Sequence, residues 1–197
     1  MSAPDLVLAL MPVVEALEAL GVRHYVGGAV ASSAHGVARA SLDVDVVADL
    51  RDEQVPPLVA RLASAYYVDE GRAREAVRTR RSFNLIHLGT MLKVDVFVSK
   101  GRAFDEEALR RARPQALAET PDAPRVAMAS AEDTVLAKLE WFQAGGEVSQ
   151  RQWSDIIGVL TTSAKHIDRE YLRHWAEPLG VVHLLDRAFG EVDRDTA

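Results

Sequence analysis

Two short runs constrain this chain more than anything else in it: Asp43-Val-Asp45-Val-Val-Ala48 and Lys93-Val-Asp95-Val-Phe97, apolar segments that each carry carboxylates. Their period-2 alternation reads as β-strand. On a strand, residues two apart leave the same face, so Asp43 and Asp45 point one way and Val44 and Val46 the other. Like charges side by side are unfavourable unless a cation lies between them. An oxygen-only donor set of this kind suits Mg2+ or Mn2+, which bind few carboxylates and complete their shell with phosphates and water. Upstream, Gly27-Gly28 joins a short strand, read over residues 24–27, to a helix read over 29–35.

The rest of the chain alternates in kind before it settles. Leu6, Leu10, Val13, Val14, Leu17 and Leu20 recur at helical spacing. Pro12 is expected to kink or restart that helix, and Gly21 to end it. A helix over 56–65, a short strand over 66–68, and strands over 82–88 and 91–98 joined at Gly89-Thr90 follow. Residues 72–80 are helix or loop, and 104–113 a helix stopped before Pro114. The segment 119–124, with two prolines, is the candidate linker. Beyond it Ser130-Ala-Glu-Asp133 is a helix-start signal, and helical stretches follow at roughly 149–162, 167–177 and 180–190. Strands mixed with helices, then helices alone, make an α+β domain over 1–118 and a C-terminal helical domain over 119–197. Trp141, Trp153 and Trp175 read as core.

Gly27, Gly28, Arg39, Ser41, Asp43, Asp45 and Asp95, taken in order, resemble the nucleotidyltransferase pattern of the DNA polymerase beta superfamily. That pattern is a strand ending in Gly-Gly or Gly-Ser, a helix, Arg-x-Ser/Thr-x-Asp-x-Asp on the next strand, and a third Asp on a later one. The resemblance covers roughly the first 100 to 115 residues. It implies a nucleotidyltransferase-like mixed sheet flanked by helices, followed by a helical bundle. The implied reaction is attack of an acceptor hydroxyl on the α-phosphorus of an NTP such as ATP, with release of pyrophosphate.

The implied roles fall on particular residues. Asp43 and Asp45 would hold divalent metal against the triphosphate, and Asp95 would complete a metal site and help deprotonate the attacking hydroxyl. Gly27 and Gly28 would let the backbone approach the phosphates. Ser32 and Ser33 would add hydroxyl donors, set against a purely structural place in the helix. Arg39 either braces the carboxylates or points to solvent, and Ser41 supports the loop.

The C-terminal half resembles the abortive-infection-type nucleotidyltransferase toxins and related bacterial proteins, through Lys138 on one helical stretch and Arg151-x-x-x-Asp155 on the next. That likeness implies a lysine reaching the nucleotide phosphates, and a toxin–antitoxin partner. The plain alternative is a surface lysine beside an i,i+4 ion pair. Ala29-Val30-Ala31 after Gly-Gly departs from the Val-Arg-Asp of the tRNA-terminal-adding and poly(A) polymerases. Lincosamide-type antibiotic transferases share Gly-Gly and Arg-x-x-x-Asp-x-Asp. The acceptor therefore stays open among RNA such as tRNA, protein and a small hydroxylated molecule. The rival from another class is a catalytically silent fold kept as a binding or antitoxin-like module. Its mark would be a broken carboxylate triad, and all three positions are intact.

Composition narrows the partners. A net charge of −6 over 197 residues argues against unspecific nucleic-acid coating. Arg72, Arg74, Arg78, Arg80 and Arg81 form the densest basic stretch, read as a solvated helix face partnered by Asp69, Glu70 and Glu75 rather than a grip on a polyanion. With no cysteine there is no disulfide and no thiolate nucleophile, as suits a reducing cytoplasm. Acidic Asp5, Glu15 and Glu18 around the first apolar run argue against a signal segment, and no run approaches a membrane span, so the expectation is a soluble cytoplasmic protein.

Overall fold

A computed structural model describes residues 3–37, 43–118 and 120–195. By internal contacts the chain forms two compact units: Met1–Val30 with Ala40–Ala129, and Ala31–Arg39 with Ser130–Ala197.

The first unit is built on a mixed sheet. Its elements are α1 (Ala3–Ala19), β1 (His24–Val26), the start of α2 (Gly28–Ala34), β2 (Asp43–Ala48), α3 (Val55–Leu62), β3 (Tyr66–Tyr67), α4 (Glu70–Thr79), β4 (Ser82–His87), β5 (Lys93–Val98), α5 (Ala103–Arg111), β6 (Arg113–Ala116) and β7 (Arg125–Met128). Among the described residues the sheet has seven strands in the order β3-β4-β5-β2-β1-β7-β6. The β2–β5 and β1–β7 pairs are parallel and the others antiparallel. Val44 and Val46 of β2 and Val94 and Val96 of β5 are fully buried, as are Leu10, Val13 and Leu17 of α1. One face of the two central strands therefore belongs to the core. The alternating positions Asp43, Asp45, Lys93 and Asp95 stay partly open.

Several local features decide between the alternatives that the sequence left open, and some differ from expectation. α1 runs through Pro12 rather than restarting there. The carbonyl that loses its donor to Pro12 is that of Leu8, a residue 56% exposed, where water can replace the missing bond. Gly21, at φ +64°, then closes the helix by donating its N–H to Glu18 O at 2.9 Å. Residues 70–79 are helix, not loop: the Asp69 carboxylate accepts the Arg72 amide and a left-handed Arg80 ends the run. Along it Arg74 pairs with Glu70 and Asp52, so this part of the basic stretch is partnered by neighbouring acids. The proline-bearing stretch 119–124 lies between β6 and β7, which pair with each other in the sheet. Both strands went unread in the sequence.

The second unit contains α6 (Ala131–Ala144), α7 (Gln150–Thr162), α8 (Arg169–Leu179) and α9 (Val182–Asp195), with residues 31–39. Side chains cap three successive helix starts: Ser130 accepts from the Asp133 amide, Ser149 from Gln152 and Asp168 from Tyr171. Each such cap contributes about 1 kcal/mol. Leu136, Leu139, Ile156, Leu160, Leu172 and Leu185 are buried in this unit. Trp153 joins that core, with its indole N–H on Glu191 and the Arg187 guanidinium 4.1 Å above its ring. Trp141, expected in the core, is 53% exposed. No helix among the described residues is long and apolar enough to cross a membrane.

Candidate active site

Parallel pairing of β2 with β5 sets the site. The register places Asp43 opposite Lys93, Asp45 opposite Asp95 and Val47 opposite Phe97. Residues opposite each other across a pair share a face of the sheet, so Asp43, Asp45, Lys93 and Asp95 stand together on the partly open face. β4 brings Asn84 opposite Asp95 on the other side of β5.

Lys93, which the sequence reading did not select, bridges two of these carboxylates. Its ammonium lies 2.9 Å from Asp95 Oδ2 and 3.4 Å from Asp43 Oδ1. The hydrogen bond to Asp95, opposed by partial burial and aided by the charges of Asp95 and Asp43, keeps this lysine protonated above the ordinary range. The signal was present in the sequence: Lys93 is two residues before Asp95 on the same strand, hence on its face.

Gly27 and Gly28 close the site from β1. The Gly27 N–H donates to Asp45 O at 2.9 Å, which ties the end of β1 to β2. The two glycines are not equivalent. A Cβ on Gly27 would make an ordinary contact with the Tyr25 ring, at 3.7 Å. On Gly28 it would stand 1.6 Å from Asp45 Oδ2, and Gly28 has φ +57°. Only glycine fits there, in conformation and in space.

Other expected site residues fall elsewhere. Ser32 is buried and Ser33 half-buried on the part of α2 that belongs to the second unit. Arg39 and Ser41 lie outside the described residues. Within the second unit Lys138 Nζ meets Asp155 Oδ2 at 2.8 Å, with side chains only 12% and 5% exposed. Lys138 is thus not a surface lysine, and Asp155 turns to it from the next helix. Arg151 is exposed.

The donor set bears on metal binding. Among the described residues no three His, Cys, Asp or Glu side chains are drawn together as a metal cage. The chemistry nonetheless fits a hard divalent ion: oxygen donors only, on one open face, with a cation already seated among them in the Lys93 ammonium.

No family model matches the chain, and no curated protein is detectably similar to it in sequence. Solved structures do match. An antigenic nucleotidyltransferase-like protein from Paracoccidioides brasiliensis superposes with a TM-score of 0.58 at 15% identity, over 96% of this chain and 90% of that one. The antibiotic-resistance factor ANT(2'')-Ia in solution gives 0.52 at 14% identity, over 100% and 98%. Its complex with adenylyl-2''-tobramycin gives 0.51 at 14%, over 92% and 97%. At such identities the likeness is one of architecture. The chain has the nucleotidyltransferase fold, a mixed sheet flanked by helices.

Proposed function

We propose that this protein is a metal-dependent nucleotidyltransferase, moving a nucleoside monophosphate from an NTP to an acceptor hydroxyl with release of pyrophosphate. The observation that carries the reading is the juxtaposition of Asp43, Asp45 and Asp95 on one open face of paired strands, with Gly28 packed against Asp45. Isolated strand-edge aspartates would need neither the register nor the glycine.

Asp43, Asp45 and Asp95 would hold Mg2+ or Mn2+. When bound, such an ion offsets charge on the phosphate oxygens. In this reading Asp95, on the strand beside Asp45, also helps deprotonate the acceptor hydroxyl. Gly27 and Gly28 supply a backbone without side chains where the phosphates approach. Lys138, oriented by Asp155, serves the nucleotide phosphates, and Arg151, Arg39, Ser32 and Ser33 are assigned there as supporting residues. The shared architecture with ANT(2'')-Ia, which has been solved with adenylyl-2''-tobramycin, supports ATP as donor and a small hydroxylated acceptor. That acceptor class is preferred here over RNA, protein or a toxin–antitoxin partner.

The test is incubation with each α-phosphorus-labelled NTP and Mg2+, with a panel of hydroxylated aminoglycosides in one arm and cell extract in the other. Label on a small molecule together with pyrophosphate release is the expected result. Label on RNA or protein alone moves the acceptor class. No label in either arm, with intact protein, leaves the silent binding module as the better account.

A further inference from the structure

We propose that Lys93 is a tethered cation of the carboxylate site, which holds Asp43 and Asp95 together in the absence of metal and which a divalent ion must displace to bind. This rests on the reading of Asp43, Asp45 and Asp95 as metal ligands.

Three carboxylates on adjacent strands repel one another, and cross-strand like charges are destabilising. The Lys93 ammonium bridges two members of that set. It meets Asp95 on its own strand at 2.9 Å and Asp43 on the neighbouring strand at 3.4 Å, so one charge serves both strands. Its position follows from the register, since Lys93 is the direct partner of Asp43 and lies two residues from Asp95. Lysine suits a displaceable role. Its charge sits on a flexible four-carbon stem, and an ammonium bonds point by point rather than as a rigid fork. The side chain is 37% exposed, which gives it somewhere to go. Hydrogen bonds from an ammonium to a carboxylate occupy the oxygen lone pairs that a metal would use, so the two cations compete for the same acceptors. Lys93 therefore sets how much divalent ion the protein needs, and keeps the strands paired before any arrives.

Manganese titration followed by the electron paramagnetic resonance of free Mn2+ tests this on the full chain, without nucleotide. Lys93→Met should bind Mn2+ about tenfold more tightly than wild type, or better, the range for loss of a competing charged hydrogen bond. Lys93→Gln, with a polar side chain that preserves solubility and strand pairing, should shift the same way. Lys93→Arg keeps the charge on a more rigid fork and should bind Mn2+ no more tightly than wild type; tighter binding by this variant would overturn the proposal. In EDTA both neutral variants should melt below wild type, and saturating Mn2+ should close that gap. Equal or weaker Mn2+ binding by Lys93→Met and Lys93→Gln overturns the displacement proposal while leaving the metal site in place. Failure of every protein, wild type included, to bind Mn2+ overturns the metal reading itself and this proposal with it.

Discussion

Gly28 leaves no room for a β-carbon beside Asp45: the carboxylate oxygen Oδ2 lies 1.6 Å from where that carbon would be. The same residue sits at φ +57°, a region where a side chain is strained by about 1–3 kcal/mol. Gly28→Ala is therefore expected to lower stability by at least about 1 kcal/mol and to push Asp45 off its position, abolishing metal-dependent transfer. Gly27→Ala meets only an ordinary ring contact and should fold much as wild type does, so any loss it shows falls on nucleotide affinity rather than on stability. Paired melting curves and turnover assays of the two variants check this. A fully active Gly28→Ala would mean that Asp45 has no demanding role.

Asp43→Asn should preserve the fold, because Asp43 is half exposed at the start of β2. An amide cannot supply the negative charge that a divalent ion needs, so transfer should fall by on the order of 10²–10³ or more, the scale for deleting one preorganised electrostatic contact. Melting temperature without metal should change little, because relief of carboxylate repulsion is offset by loss of the Lys93 contact at 3.4 Å. Equal rates for variant and wild type on a verified acceptor would remove Asp43 from the catalytic set.

What the sequence made legible follows from which forces are local. β2 and β5 were readable because one face of each is buried, so valines must alternate with the aspartates. The helix start at Ser130 follows from a side chain reaching the amide three residues on, whereas the same cap at Asp69 went unread. Pairing between distant segments has no such local mark. The match of Asp45 with Asp95 rather than Lys93 depends on register, which one sequence does not display. β6 escaped notice because Pro114 argues against a strand, yet β6 is at the sheet edge, where an absent N–H faces no partner. Spacing put Arg151 and Asp155 on one helix face and left open which of them turns to Lys138; the contact across helices goes to Asp155.

The Tyr66 hydroxyl donates to Ala9 O at 2.9 Å, and the residue is 3% exposed. Burial, reinforced by the charge of Glu15, raises its pKa well above the ordinary tyrosine value. A group whose folded pKa is raised gives stability that is complete below its unfolded pKa, near about 10 for tyrosine, and lost as pH climbs through the folded value. Tyr66→Phe should thus lose about 1 kcal/mol at neutral pH, the net value of one hydrogen bond. Above about pH 10 the two proteins should converge, since only wild type has a hydroxyl to ionise on unfolding. Urea unfolding at pH 7 and pH 11 measures both ends. A gap that stays constant or widens with pH would contradict the burial account.

Lys138 and Asp155 allow stability to be separated from function. The sequence alone suggested a phosphate-facing Lys138 whose loss would weaken NTP binding and change stability little. In the observed pair Asp155 is buried and Lys138 nearly so, with side-chain exposures of 5% and 12%, and the two are bonded at 2.8 Å. Removing one partner of a buried pair leaves the other charge desolvated, at about 3–5 kcal/mol. Lys138→Met should be destabilised on that scale, so a loss of activity in this single variant would say nothing about nucleotide binding. Replacing both, as Lys138→Met with Asp155→Leu, removes the stranded charge and should return stability close to wild type, because apolar substitutes for buried pairs are commonly neutral. If Lys138 serves the nucleotide phosphates, the double variant folds well yet binds NTP more weakly by about 1.5–3 kcal/mol, the range for a hydrogen bond to a charged group. Equilibrium nucleotide titration beside a melting curve reads both quantities on one sample. Stability and affinity restored together would make the pair a scaffold of the helical unit and take Lys138 out of the phosphate contacts.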